Sequence, residues 1–264
     1  MTPLKIKWVI FSLIFASCMI AGVAVFGGYG WSGSSSHAGI PQDQTLAPVQ
    51  GSTEKLILET RYPETPGTVH LYTVKSVETF QDVNEKLSMT VKNSIPPADE
   101  APALAEKSLE EYGGLPDDAS LINAIPLYRV KYNVTTGTEV EKYPVRTQVR
   151  YIQNIDGYPV YKAGISLMLG ENGEILDIYK NWITVYEKSG ESSVISAEDG
   201  FKKLKEGKTS AELQGTIPTG SKVSAIEFGY YYDKKSDALK PVWVYKTIMG
   251  SETEPFNLYV DATE

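Results

Sequence analysis

Apolar and polar positions alternate most regularly over residues 151–182, where runs rich in Tyr, Ile, Val and Leu are broken by Asp156-Gly157 and Asn172-Gly173. Both pairs accept the positive φ of tight hairpin turns, so this stretch predicts a meander of three antiparallel strands. In its middle strand Tyr161, Ala163, Ile165, Leu167 and Leu169 share one face, and Lys162, Gly164 and Ser166 share the other. One face therefore requires cover from elsewhere in the chain. Upstream, residues 54–62 and 68–78 read as strands on either side of a turn at 63–67. Residues 82–93 fit a helix through Val83, Leu87 and Val91 or a strand through Leu87, Met89 and Val91, and the strand is the preferred reading.

After Pro96-Pro97, the positions Leu104, Ala105, Leu109 and Tyr112 recur at helical spacing among charged residues, until Gly113-Gly114 ends the helix. Strands follow at 125–134 and from 143 into the meander. Near the C-terminus Ser196 is placed as an N-cap with Asp199 three residues on, and Ala197, Phe201 and Leu204 form a short apolar stripe that stops at Gly207. Strands at 222–232, 241–249 and 255–261 come next. The last two are expected to pair antiparallel, with Trp243 packed beneath the short helix. Helix-then-sheet thus occurs twice, which predicts an α+β fold of two tandem units, 54–190 and 191–264.

Ahead of these units Lys5 and Lys7 precede residues 8–26, a charge-free apolar run close to the roughly 20 residues that span a bilayer. The run exceeds the roughly 7–15 apolar residues of a cleaved signal, so residues 1–28 are expected to be an uncleaved single-pass anchor, a short cytoplasmic N-terminus followed by a transmembrane helix through 8–26. The positive-inside bias places the N-terminus in the cytoplasm and the remainder outside the cell membrane. The stretch Phe15-Ala16-Ser17-Cys18 is similar to a lipoprotein box, which makes lipidation at Cys18 the second reading. Residues 29–53 are rich in Gly, Ser, Pro and Gln and read as a flexible linker, with His37 a solvated linker residue.

Charge and residue chemistry narrow the function. A net charge of −8, with no concentrated Lys/Arg surface, argues against nucleic acid. Cys18 is the only cysteine, so the folded part has no thiol, disulfide or thiolate metal site. His70, flanked by Val69 and Leu71, reads as an ordinary strand residue; it has no second histidine at zinc-binding spacing, and there is no Gly-x-Ser-x-Gly elbow. Glu110-Glu111, Asp117-Asp118 and Glu252 with Glu254 lack the spacing of a calcium loop. The expectation is a chain with no catalytic centre, cofactor or metal. Two other features stand out. Tyr230, Tyr231 and Tyr232 concentrate rings that either anchor a partner or, by alternation, enter the core. Asn133-Val134-Thr135 is a glycosylation sequon at Asn133.

The motifs SAEDGFKKLKEG, GYYYD, LKPVWVY and FNLYVDATE resemble a PepSY-type module, with Thr263-Glu264 in place of the usual Thr-Gly-Glu ending. The stretch YIQNIDGYPVYKAGISLMLGENGEILDI is similar to the meander of thermolysin-type protease propeptides and of the YycH/YycI regulators of a bacterial sensor kinase. The resemblance covers about residues 97–264, and a single N-terminal helix fits the YycI arrangement. It implies a membrane-anchored, non-enzymatic module that binds or restrains another extracytoplasmic protein, such as a sensor kinase or a protease. The alternative is a structural component of the cell envelope or surface.

Overall fold

A computed structural model describes residues 47–48, 56–83, 94–133, 135–207, 210–211, 219–249 and 255–263. The expected membrane anchor at 1–28, with Cys18, and His37 of the linker lie outside the described residues, as does most of 82–93. The strands are β1 Ala47–Pro48, β2 Ile57–Leu58, β3 Thr68–Val83, β4 Ala119–Tyr132, β5 Glu139–Ile155, β6 Tyr158–Leu169, β7 Ile175–Ser193, β8 Ser210–Ala211, β9 Lys222–Asp233, β10 Ala238–Ile248 and β11 Phe256–Asp261. Among the described residues two α-helices, α1 Ala101–Leu109 and α2 Ala197–Lys205, interrupt them.

This corrects the expected α+β class. The chain is mostly β: helices of nine residues stand against strands of up to 19. The expected tandem sheets also give way, because strands of the central meander and of the C-terminus share hydrogen bonds. Strand β6 pairs with β9 (Val160 with Tyr230, Tyr161 with Tyr231), and β10 pairs with β3 (Leu239 with Tyr72). Successive neighbours β9, β10, β3, β7 and β6 return to β9 and close a barrel. Closure leaves none of these five strands as an edge, while β1 and β4 end the strand order. Among the described residues no helix is long and apolar enough to cross a membrane.

Contacts divide the chain into two compact units. The first comprises the described residues of Glu78–Ile152 and Gly164–Trp182. Its strands run in the order β3-β7-β6-β5-β4. Pro102 suits the first turn of α1, where its fixed φ is already helical. The helix lays Ala101, Ala105 and Leu109 on Val149, Tyr151, Ile165, Leu167, Leu169, Ile178 and Trp182, so the meander gains the cover that its alternation required. Tyr151 Oη donates to Pro102 O (3.2 Å), and Ser108 Oγ donates to Gly173 O (3.0 Å). A 3-10 turn, Glu110–Tyr112, prolongs α1 until Gly113 turns left-handed at φ 94°. Asn172 and Gly173 adopt φ 57° and 83°, as the hairpin turn requires.

The second unit comprises the described residues of Ser17–Val77, Gln153–Ala163 and Ile183–Glu264. Asp156 and Gly157 (φ 53° and 80°) turn β5 into β6. One core gathers Tyr72, Val74, Ile155, Val160, Ala163, Ile183, Tyr230, Tyr232 and Leu239. Here the expected alternation of β6 is corrected. Lys162 has φ 77°, and this left-handed residue shifts the pleat by one position. Val160, rather than Tyr161, therefore shares a core with Ala163. Tyr161 packs its ring against Tyr259 instead (5.4 Å between centroids).

A further core of this unit lies under α2. Ser196 Oγ accepts from Asp199 N (3.0 Å), which caps the helix as the spacing predicts. Ala197, Phe201 and Leu204 pack with Trp243, Tyr245, Val223, Leu258 and Val260. Strands β10 and β11 pair antiparallel, with Trp243 opposite Val260. Trp243 is completely buried, its Nε1 donates to Ile195 O (2.9 Å), and Tyr245 Oη donates to Ala197 O (2.7 Å). Gly200 permits this approach: a Cβ there would stand 3.1 Å from Trp243 Cδ1.

Candidate functional site

Between β2 and β3 the segment Arg61, Tyr62, Pro63, Glu64, Thr65, Pro66 forms no strand. Two prolines three residues apart lack the N–H groups that a sheet ladder uses, so the backbone stays outside the hydrogen-bonded sheet. Pro63 to Pro66 form one wall of an open cleft of about 610 Å³. The remaining walls are Asn154 near the end of β5, Tyr158 and Pro159 at the start of β6, Glu227 and Phe228 of β9, and Trp243 of β10.

The cleft has a rigid aromatic base. Trp243 meets Phe228 edge-on at 5.4 Å, and Phe228 meets Tyr158 edge-on at 4.8 Å, so three rings stand in a row of favourable quadrupole geometry. The Ile195 carbonyl holds the indole at one end. Close approach of strands fixes the other end: a Cβ on Gly229 would fall 2.6 Å from Pro159 O. Polar groups are added by Glu64, Thr65, Asn154 and Glu227, and no Lys, Arg or His lines the cleft. The Glu227 carboxylate is held in place, because Tyr161 Oη donates to Oε2 (3.1 Å) and Lys246 Nζ reaches Oε1 (2.5 Å). Burial first, and then the Glu227 charge, push the Tyr161 hydroxyl well above its ordinary value, which keeps it a neutral donor.

The residues singled out from the sequence lie elsewhere. Tyr230, Tyr231 and Tyr232 are 1%, 4% and 8% exposed, so they form no surface anchor as placed. Tyr230 and Tyr232 enter one core and Tyr231 packs on Tyr259 (5.1 Å), because both faces of β9 are covered. Tyr230 Oη donates to His70 O (2.9 Å). His70 stands in β3 with Nδ1 3.3 Å from Glu191 Oε1. Asn133 opens the β4–β5 turn, where its Oδ1 accepts from Thr135 N (2.9 Å) and Thr136 N (3.3 Å). Glu110 and Glu111 sit in the turn after α1, while Glu252 and Glu254 lie outside the described residues. Among the described residues no three His, Cys, Asp or Glu side chains are grouped to hold a metal ion. The cleft itself escaped the sequence reading. Its lining comes from four separate stretches, and the only local signal was the pair Pro63 and Pro66.

No family model matches the chain, and no curated protein is significantly similar to it. The likeness to PepSY-type modules and to the YycH/YycI regulators therefore rests on the motif residues alone. What fold and cleft define is a mostly β chain with an aromatic-based, acid-bearing cleft.

Proposed function

We propose that this chain is a membrane-tethered extracytoplasmic binding protein that regulates another protein by holding a segment of it, without catalysis of its own. The tether is residues 8–26, whose length and lack of charge suit a bilayer span. The observation that carries the binding reading is the open cleft with its fixed row of Trp243, Phe228 and Tyr158. The base of the cleft needs little reordering when occupied, which favours binding by lowering the entropy lost.

A photo-crosslinking amino acid placed at Thr65, on the cleft wall, tests this in intact membranes. Thr136, exposed in the β4–β5 turn, serves as the control position. A discrete adduct with a second protein from Thr65 and none from Thr136 is the expected result. Equal adducts from both positions, or none from Thr65, refute the binding role; a ladder of self-adducts supports the structural envelope role instead.

A further inference from the structure

We infer that the cleft receives a lysine or arginine side chain carried on an extended peptide segment of the partner protein. This rests on the cleft being the binding site, and it adds the chemistry of what binds there.

Three features of the lining lead to it. The first is charge: Glu64 and Glu227 both line the cleft, and no cationic side chain does. Lys246 pairs with Glu227 (2.5 Å), so two carboxylates stand against one ammonium and an acidic occupant would meet a net negative charge. The second is the combination of ring and acid. A purely apolar occupant would cover the accessible part of Tyr158 but strip water from the carboxylates of Glu64 and Glu227 without replacing those hydrogen bonds, which is unfavourable. A lysine or arginine satisfies both demands. Its methylene stem lies along Tyr158 and Phe228, and its cationic head reaches the carboxylates or a ring face. Glu227 suits this role because Tyr161 and Lys246 fix its orientation while using only part of the acceptor capacity of a carboxylate, which has about four lone-pair sites.

The third feature is backbone chemistry. Pro63, Pro66 and Pro159 line the cleft and have no N–H to donate. An incoming chain therefore finds no complete ladder with which to add a strand, and side-chain recognition carries the interaction rather than sheet extension. A segment that keeps its own backbone solvated, such as a proline-rich extended stretch, fits this wall.

The test uses the full chain in a neutral detergent and three dye-labelled probes read by fluorescence polarisation. These are an Ala-Pro-Lys-Pro-Ala pentapeptide with both ends capped, and the same peptide with norleucine or glutamate in place of lysine. The lysine probe is expected to bind about five- to tenfold more tightly than the norleucine probe, and the glutamate probe more weakly than either. Raising salt from about 0.05 M to about 0.5 M should weaken the lysine probe and leave norleucine unchanged, because ion screening acts only on the charge. Glu64→Lys, an exposed loop change, should remove the lysine preference without altering norleucine binding. Equal binding of lysine and norleucine would leave the cleft as a binding site and overturn the cationic specificity. Tighter binding of glutamate would overturn it too. Failure of all three probes would overturn the cationic reading, and crosslinking at Thr65 would then decide whether the cleft binds anything.

Discussion

Replacing Trp243 with alanine should unfasten α2. Trp243 is wholly buried beneath that helix, beside Phe228 and close to Gly200, and its Nε1 holds the Ile195 carbonyl at the helix entrance. Truncating a buried aromatic to alanine removes its transfer free energy and leaves a cavity, together about 3–5 kcal/mol. Losing the partner of the Ile195 carbonyl adds about 1 kcal/mol. Some collapse of α2 onto the vacated space offsets part of this, so about 4 kcal/mol is a fair expectation. At about 1.4 kcal/mol per factor of ten, amide protection in α2 and β11 should fall by about three orders of magnitude. Hydrogen exchange read by mass spectrometry measures this locally, which matters in a chain of two compact units where one melting temperature can mix two transitions. The amides of α1 are the internal reference and should hardly change. Trp243→Phe keeps most of the ring but loses the donor, and should lower protection by only one to two orders of magnitude. If α2 protection fell less than tenfold in Trp243→Ala, the indole would not be the support of the helix and the packing argument would fail.

Gly229→Ala would place a Cβ about 2.6 Å from the backbone oxygen of Pro159, so β6 and β9 must separate. A stability loss of about 2 kcal/mol or more is expected from such overpacking, checked by urea unfolding. Lys162→Gly should leave stability unchanged or raise it by up to about 1 kcal/mol, since glycine adopts φ 77° without strain; Lys162→Val should lower it by about 1–2 kcal/mol, and the reverse order in thermal unfolding would contradict the left-handed assignment. The hydrogen bond from Ser196, followed by Lys202, holds the Asp199 carboxyl below its ordinary value of 3.8. A depressed folded value means that this contribution is complete above about pH 4 and is lost as pH falls through the folded value. Ser196→Ala should accordingly reduce stability more at pH 6 than at pH 2, and equal losses at both values in acid-unfolding curves would refute the linkage.

Sequence alone determined what depends on neighbours a few residues apart. Asp156-Gly157 and Asn172-Gly173 announced their turns because backbone sterics reserve positive φ for such residues, and both turns form. Ser196 with Asp199 announced a cap because the hydroxyl reaches only the amides of the next turn. Even the placement of Trp243 under α2 was legible, since the short stripe of Ala197, Phe201 and Leu204 demanded one large partner and the adjacent strands offered it. The fold class was not legible. Alternation shows that a strand has faces, but not which strand sits beside it, and the pairings of β6 with β9 and β10 with β3 join stretches far apart in the chain. Those pairings buried both faces of β9, and with them Tyr230, Tyr231 and Tyr232, which no local pattern distinguished from exposed rings. The one-residue shift at Lys162 was hidden for the same reason, because lysine rarely adopts a left-handed φ unless the surrounding sheet imposes it. The cleft belonged wholly to tertiary structure: four stretches, each unremarkable alone, acquire a common aromatic base and two carboxylates only when long-range strand pairing brings them together.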